Sequence, residues 1–374
     1  MPWKEASAMS LRQEFVAQAQ EEGANLSALC QVYGISRKTG YKWLNRYRQE
    51  GGAGLDDRSR RPRRSPSRTP PEMVERILEL RCKHPAWGGR KLKRRLENLG
   101  VDGVPAASTI TEILRRQGKL AGEKEARQKP FVRFEMDQPN QLWQMDFKGH
   151  FALTGGERCH ALSVLDDHSR YLVGLNACPD ETTRTVQAHL TACFRQHGLP
   201  ERMLMDNGSP WGDDADTLFT ALTVWLLRLG IMVSHGRPYH PQTQGKDERL
   251  HRTLDDELLK RASFPDFPTC QAGFDHFRRV YNNQRPHEAL DLDTPACRYR
   301  PSSRPFPETL PSLRFPEGAA VRKVDDTGRI GFENRRRRVS RAFKGLTVGV
   351  LPDPADERLL HVFFNDILVR TLDR

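Results

Sequence analysis

Three stretches of this 374-residue chain place carboxylates where routine structural duties do not account for all of them. WQMDF (143–147) puts Asp146 on the polar phase of an alternating run. MDNGSP (205–210) closes a short apolar run with Asp206. HPQTQGKDERLHRTL (240–254) opens a helix with Lys246, Asp247 and Glu248 before its apolar stripe begins. Singly, each acid has an ordinary explanation: an Asp before Asn-Gly serves a turn, and a Glu in a first helical turn serves the dipole. Together they point to chemistry. Three carboxylates brought to one point repel unless positive charge lies between them. Hard oxygen donors without His or Cys favour Mg²⁺ or Mn²⁺. Two such ions about 3.5–4 Å apart serve an in-line phosphodiester displacement that needs no covalent nucleophile from the protein. Asp146, Asp206 and Glu248 are therefore the expected catalytic and metal-holding residues, with two ions per active site.

The elements that must carry them follow from periodicity. QLWQMDFKGHFAL alternates Trp143, Met145 and Phe147 against Gln144, Asp146 and Lys148, the period of a strand. HALSVLDDHSRYLVGLNAC reads as a hairpin turning at Asp166–Arg170, which makes Asp166 and Asp167 turn residues. Helices are expected near 182–197, 216–229 and 269–283, with strands at RMLMDNG and IMVSH. The order is βββαβαβα plus a helix. Mixed sheets with helical crossovers bind ligands at the carboxyl ends of their parallel strands. If the Asp146 and Asp206 strands are neighbours, they lie about 4.8 Å apart. On the helix after Gly245, Leu250, Leu254 and Leu258 define the buried arc. Glu248 is read as flanking that arc and Asp247 as facing solvent.

The rest of the chain reads as machinery for gripping a polyanion. Formal net charge is +12, and residues 1–137 carry about +11 of it. Residues 10–50 suggest three short helices. Leu26, Leu29 and Val32 line one face, Gly34 breaks the chain, and Ser36 caps the next helix. That next helix turns Arg37, Lys38, Lys42 and Arg46 outward, with Tyr41 and Leu44 inward. This is a helix-turn-helix with a basic second helix placed for the major groove. DRSRRPRRSPSRTPP (57–71) is an extended linker whose Arg61, Arg63 and Arg64 suit a DNA backbone or minor groove. Residues 72–120 read as a second helical DNA-binding unit, with a basic helix closed by Gly100 and with Ser108, Thr109 and Arg115 available to a groove. Residues 121–139 form another linker. From residue 320, Gly- and Asp-rich turns recur every 8–12 residues, the spacing of a small β-barrel. The seven cysteines form no CxxC pair, which supports neither a disulfide framework nor a zinc ribbon. No apolar run reaches the ~18 residues of a membrane span. The expectation is a cytoplasmic protein with no membrane association.

With WQMDF, MDNGSP, HPQTQGKDERLHRTL and YNNQRPHEAL (281–290) in view, the segment from about 140 to 290 resembles the retroviral-integrase-type catalytic core of insertion-sequence transposases. The resemblance implies a ribonuclease-H-like α/β fold and a triad at Asp146, Asp206 and Glu248, favouring Glu248 over Asp247. From the chemistry of such a core, Tyr239, His240, Gln242, Gln244 and Lys246 are expected to lie along DNA near the active site, with Lys246 and Arg249 as candidate phosphate contacts. Asn283, Arg285, Pro286 and His287 instead fix the last helix. Two features depart from retroviral integrases. The Asp206–Glu248 interval is longer, with WGDDAD (211–216) as the extra length, and helix-turn-helix units stand in place of a His/Cys zinc domain. The expected multidomain layout is 1–56 helix-turn-helix, 57–71 linker, 72–120 second helical unit, 121–139 linker, 140–300 catalytic core and 320–374 β-barrel. The expected function is that of a transposase. It binds the terminal inverted repeats of its element as double-stranded DNA, hydrolyses a phosphodiester, and joins the freed end to target DNA as a homodimer or larger assembly. The rivals are a non-catalytic DNA-binding protein, such as a repressor, and a nuclease that only hydrolyses.

Overall fold

The computed structural model describes residues 8–58, 68–120, 135–211, 219–236 and 245–374. The chain divides into two compact units, Met1–Arg68 and Thr69–Arg374. Linker residues 59–67 and 121–134, and the segments 212–218 and 237–244, lie outside the described residues.

In the first unit, α1 (Ala8–Ala19), α2 (Leu26–Val32) and α3 (Arg37–Glu50) enclose Phe15, Val16, Cys30, Trp43, Leu44 and Leu55. Asn25 caps α2 by accepting from the Ser27 and Ala28 amides. Ser36 caps α3, as expected, by accepting from the Thr39 amide. Gly34 makes the intervening turn at φ +62°, a conformation that glycine adopts without strain. The helices meet closely at Gly40, where a Cβ would come within 2.5 Å of Cys30 Sγ. That contact fixes which face of α3 is buried: Gly40, Trp43 and Leu44 at helical spacing. Tyr41, expected inward, is therefore 54 % exposed, and Val32 on α2 is 79 % exposed. Trp43 and Cys30 take their places in the core.

The second unit begins with α4 (Pro71–Lys83), α5 (Gly89–Asn98) and α6 (Ala107–Arg116) around Ile77, Trp87, Leu92, Leu96, Ile110 and Leu114. Gly89 lets α5 cross α6, since a Cβ there would lie 2.4 Å from the Ala107 carbonyl oxygen. The next layer is a five-stranded sheet in the order β3-β2-β1-β4-β5. Its strands are β1 (Leu142–Ala152), β2 (Arg158–Asp166), β3 (Leu172–Cys178), β4 (Arg202–Met205) and β5 (Met232–His235). β1 runs antiparallel to β2 and parallel to β4, and β4 runs parallel to β5. The crossovers are α7 (Thr183–His197) and α8 (Ala221–Arg228), which cover one face through Val186, Leu190, Phe194, Leu222 and Leu226. α9 (Gly245–Leu254) and α10 (Phe267–Asn283) cover the other through Leu250, Leu254, Phe274 and Tyr281. The short helix α11 (Pro295–Arg298) follows. The two-residue period of β1 is what sorts the faces. Trp143 and Met145 join the α7/α8 core, leaving Gln144 and Asp146 toward α9 and α10.

The C-terminal strands are β6 (Ala320–Lys323), β7 (Arg329–Phe332), β8 (Arg335–Arg338), β9 (Thr347–Pro352), β10 (Leu359–Phe364) and β11 (Ile367–Asp373). They form a four-stranded sheet, β11-β10-β9-β6, and a β7–β8 hairpin. These ladders do not show the closure of the expected β-barrel. β7 and β8 are four residues long and turn tightly at Glu333 and Asn334, both at positive φ. β8 spends its reach on β7, and Arg337 donates to the backbone of Phe332 and Asp373. The apolar face of these strands packs on Val224 and Leu227 of α8.

Candidate active site

The β1–β4 register pairs Leu142 with Arg202, Trp143 with Met203 and Gln144 with Leu204. Two residues further along, just past this parallel ladder, lie Asp146, in the middle of β1, and Asp206, immediately after β4. Burial raises the Asp146 carboxyl, and Asp206 beside it raises it further, to about 7. Asp206 is raised as well, by burial first. Its Oδ1 accepts from the Gly208 amide at 3.0 Å, its carbonyl oxygen faces His235 Nδ1 at 2.8 Å, and Asn207 Nδ2 donates to the Gly236 carbonyl at 3.0 Å. This ties the Asp-Asn-Gly corner to the end of β5.

The third acid is where the sequence reading and the structure part. Asp247, expected at the surface, is 0 % exposed, while the Glu248 side chain is 70 % exposed and lies 3.4 Å from Arg252. At about 100° per residue, position 247 falls between Leu254 and Leu258 on the wheel, inside the buried arc. Among the described residues, neither Asp247 carboxylate oxygen has a hydrogen-bond partner. Burial, then Asp146, then Asp167 hold its carboxyl well above the usual range. Among the described residues, no three His, Cys, Asp or Glu side chains converge on a common metal position. Asp146 and Asp206 alone make an oxygen pair whose mutual repulsion a divalent cation would relieve. Asp247 adds orphaned oxygens behind them. The donor chemistry fits a hard cation, and Glu248 in this rotamer is not part of it.

Asp166 and Asp167 do occupy the β2–β3 turn, and both are fully buried. Asp166 accepts from the Asn140 and Ser169 amides and from Ser169 Oγ. Asp167 accepts from the Met136 amide and Gln144 Nε2, and pairs with Lys246. Lys246, expected on DNA, is thus held by an internal acid. Arg249 is exposed. Tyr239 and Gln244 lie outside the described residues, as do Arg61, Arg63 and Arg64. Sequence reading missed His251, whose Nε2 is 2.9 Å from Ser163 Oγ and whose Nδ1 is 3.9 Å from Asp146 Oδ2. Its signal was its spacing, one turn beyond Asp247 and Glu248. Burial lowers its ring to about 4.

On α3, Arg37, Lys38 and Lys42 are exposed, and Lys42 Nζ lies 4.4 Å from the Trp43 ring centroid. Arg46 is half-buried over the same ring. Ser108 and Thr109 are exposed at the start of α6, and exposed Arg115 pairs with Glu112. The basic α5 is a different case: much of its charge faces the chain's own acids. Arg94 pairs with Asp293 at 2.7 Å, and Arg95 donates to Gln284 Oε1 at 3.3 Å. Lys91 is pushed down to about 8, by burial first and then by Arg285. In the preceding loop, Trp87 Nε1 donates to Glu257 Oε2 at 3.2 Å, and Glu257 also holds Arg285 at 2.8 Å.

Four family models match this chain. A helix-turn-helix domain matches residues 11–63 and a homeodomain-like domain residues 39–114. Integrase core domains match residues 136–241 and 229–295. An uncharacterized 31.7 kDa protein of insertion element IS407 from Burkholderia multivorans is 25 % identical over 228 residues, 60 % of this chain and 79 % of that one. The Gag-Pro-Pol polyprotein of Simian retrovirus SRV-2 is 34 % identical over 131 residues, 35 % of this chain. The chain spans 7 % of that polyprotein's length. Among solved structures, the HTLV-2 integrase catalytic core in complex with magnesium aligns at 18 % identity and a TM-score of 0.34, covering 44 % of this chain and 99 % of that one.

Proposed function

We propose that this chain, a member of the transposase/integrase family with helix-turn-helix and integrase-core domains, is a metal-dependent DNA transposase acting on the terminal inverted repeats of an insertion element. The observation that supports the reading is the closeness of Asp146, within β1, and Asp206, just after β4, where the β1–β4 parallel ladder ends, near the helix that bears Glu248.

Asp146 and Asp206 would hold Mg²⁺ or Mn²⁺, with Glu248 joining them after its side chain leaves Arg252. Two such ions would supply Lewis-acid activation of the attacking oxygen and charge stabilisation of the leaving one. The protein's part is to keep the carboxylates aligned and to hold the strand in place. Water first displaces the 3′ oxygen of a phosphodiester, leaving a free 3′-OH. That hydroxyl then attacks a target phosphodiester, forming one bond as another breaks. Both steps are in-line displacements that fit one site. Because two element ends must be joined to one target, a dimer or larger assembly on DNA is proposed. No helix among the described residues is long and apolar enough to cross a membrane.

The test is DNA joining by the purified protein with a labelled duplex of the element's end and Mg²⁺ or Mn²⁺. Joined products support the reading. End-specific binding without cleavage would indicate a non-catalytic DNA-binding protein, and cleavage without joining a nuclease.

For the helix-turn-helix, exposed Lys42 is assigned to a phosphate. Lys42→Ala is expected to weaken binding uniformly across sequences and to reduce the salt-dependence slope by about 1. Fluorescence anisotropy over a salt series measures that slope. An unchanged slope removes Lys42 from the interface.

A further inference from the structure

We propose that His251, acting with Ser163, is a positioning residue that holds Asp146 ready for a divalent cation; this rests on the metal-site reading above. Asp146 and Ser163 face each other across the β1–β2 ladder. Ser163 Oγ lies 3.1 Å from the Asp146 carbonyl oxygen and 2.9 Å from His251 Nε2. A carbonyl oxygen only accepts, so the single hydroxyl proton of Ser163 goes to Asp146. Ser163 Oγ must then accept from His251, which puts the imidazole proton on Nε2 and leaves a lone pair on Nδ1. That bare nitrogen faces Asp146 Oδ2 at 3.9 Å, too far for a hydrogen bond.

This arrangement does two things. Ser163 pins the backbone of Asp146, and His251, fixed by Ser163, walls one side of its carboxylate. Because Nδ1 carries no proton, His251 does not occupy the carboxylate lone pairs that a cation needs. The acids that repel an ionised Asp146 are Asp206, just after β4, and Glu181, and Asp146 in turn raises Asp247 on α9. Lys148, two residues along β1, is committed to Asp255 at 2.8 Å and does not counter them. The Ser163–His251 brace therefore opposes that repulsion mechanically, from β2 and α9 at once.

The test is Mn²⁺ binding to the full chain without DNA, followed by loss of the free-ion electron paramagnetic resonance signal. Asp206→Asn is expected to abolish high-affinity binding. Ser163→Ala and His251→Leu are each expected to weaken it about 10-fold, the scale of losing an outer partner of a metal ligand. His251→Gln, whose amide nitrogen can still donate to Ser163, is expected to recover most of the affinity. Unchanged binding in Ser163→Ala and His251→Leu, with Asp206→Asn inactive, would overturn the inference and leave the metal site standing. So would a His251→Gln as weak as His251→Leu. Unchanged binding in Asp206→Asn would overturn the metal-site reading itself. Should His251→Leu fail to fold, Ser163→Ala and His251→Gln decide the matter.

Discussion

Asp146→Asn is expected to abolish DNA joining and, in the same protein, to raise stability at neutral pH without divalent cations. On the activity side, a metal-held carboxylate supports several kcal/mol of charge stabilisation, so its loss corresponds to about 1,000-fold or more in rate. The stability effect has the opposite direction. Asp146 titrates near 7 in the folded chain because it is buried beside Asp206, against an ordinary carboxyl value of about 4 when unfolded. Below about pH 4 both states hold the proton, and the group does not bias folding. Between about 4 and 7 the unfolded chain releases its proton while the folded chain keeps it, so stability falls as pH rises through that window and then levels off. With roughly a quarter of the side chain exposed, the destabilisation at pH 8 is on the order of a few kcal/mol. Asparagine carries no such dependence. Thermal melts of both proteins from pH 4 to 8 in chelator should diverge toward high pH, with the variant higher. Added Mn²⁺ should raise the wild type and not the variant. A wild type whose stability climbs over that window would contradict the geometry of the acid pair.

Glu257→Ala is expected to be among the most destabilising single changes in the second unit. Glu257 lies in a π-turn, Asp255–Leu259, directly after α9. It binds Arg285, which is 5 % exposed, and accepts from Trp87 Nε1, whose side chain is fully buried. Removing the acid leaves a buried guanidinium and an indole N–H without their partner. Breaking a buried pair from one side costs about 3–5 kcal/mol. The comparison that gives this meaning is Glu308→Ala. Its partner Arg195 is bound through two hydrogen bonds, at 2.9 and 2.7 Å, yet both side chains are more than half exposed. That pair is worth about 0–1 kcal/mol. Urea unfolding of the two variants side by side measures the difference. Equal losses would mean that the Trp87–Glu257–Arg285 junction does not hold α4–α6 on the catalytic core.

The sequence was most legible where one period served one purpose. The alternation of β1 sorted Trp143 and Met145 from Asp146 because each sheet face meets a different helix layer. The element order from β1 to α10 followed in the same way, as did the Ser36 cap, which depends only on its own three-residue span. What escaped depended on partners distant in sequence. α5 reads as a basic helix, and nothing local distinguishes a phosphate partner from Asp293 or the Glu257 cluster of the same chain. Tyr41 lost its expected place because Gly40 sets the crossing of α3. Strand lengths and turn spacing at the C-terminus were local, whereas closing a barrel requires a ladder between remote strands, and the ladders among the described residues do not show one. The Asp247 error was different in kind. The buried arc of α9 does include position 247, but a carboxylate there conflicts with the expectation that apolar stripes hold apolar residues. That conflict, a buried acid with no hydrogen-bond partner among the described residues, close to Asp146, is itself a mark of a functional site.

Asp146, Asp206 and Glu248 are proposed to act together, although the Glu248 side chain is exposed beside Arg252 in this conformation. The most direct measurement is DNA joining by Glu248→Gln beside Asp247→Asn, with element-end binding followed in both. No joined product is expected from Glu248→Gln, with end binding intact, and joining is expected to be retained by Asp247→Asn. Joining by Glu248→Gln together with its loss in Asp247→Asn would assign the third role to the buried acid and contradict the account.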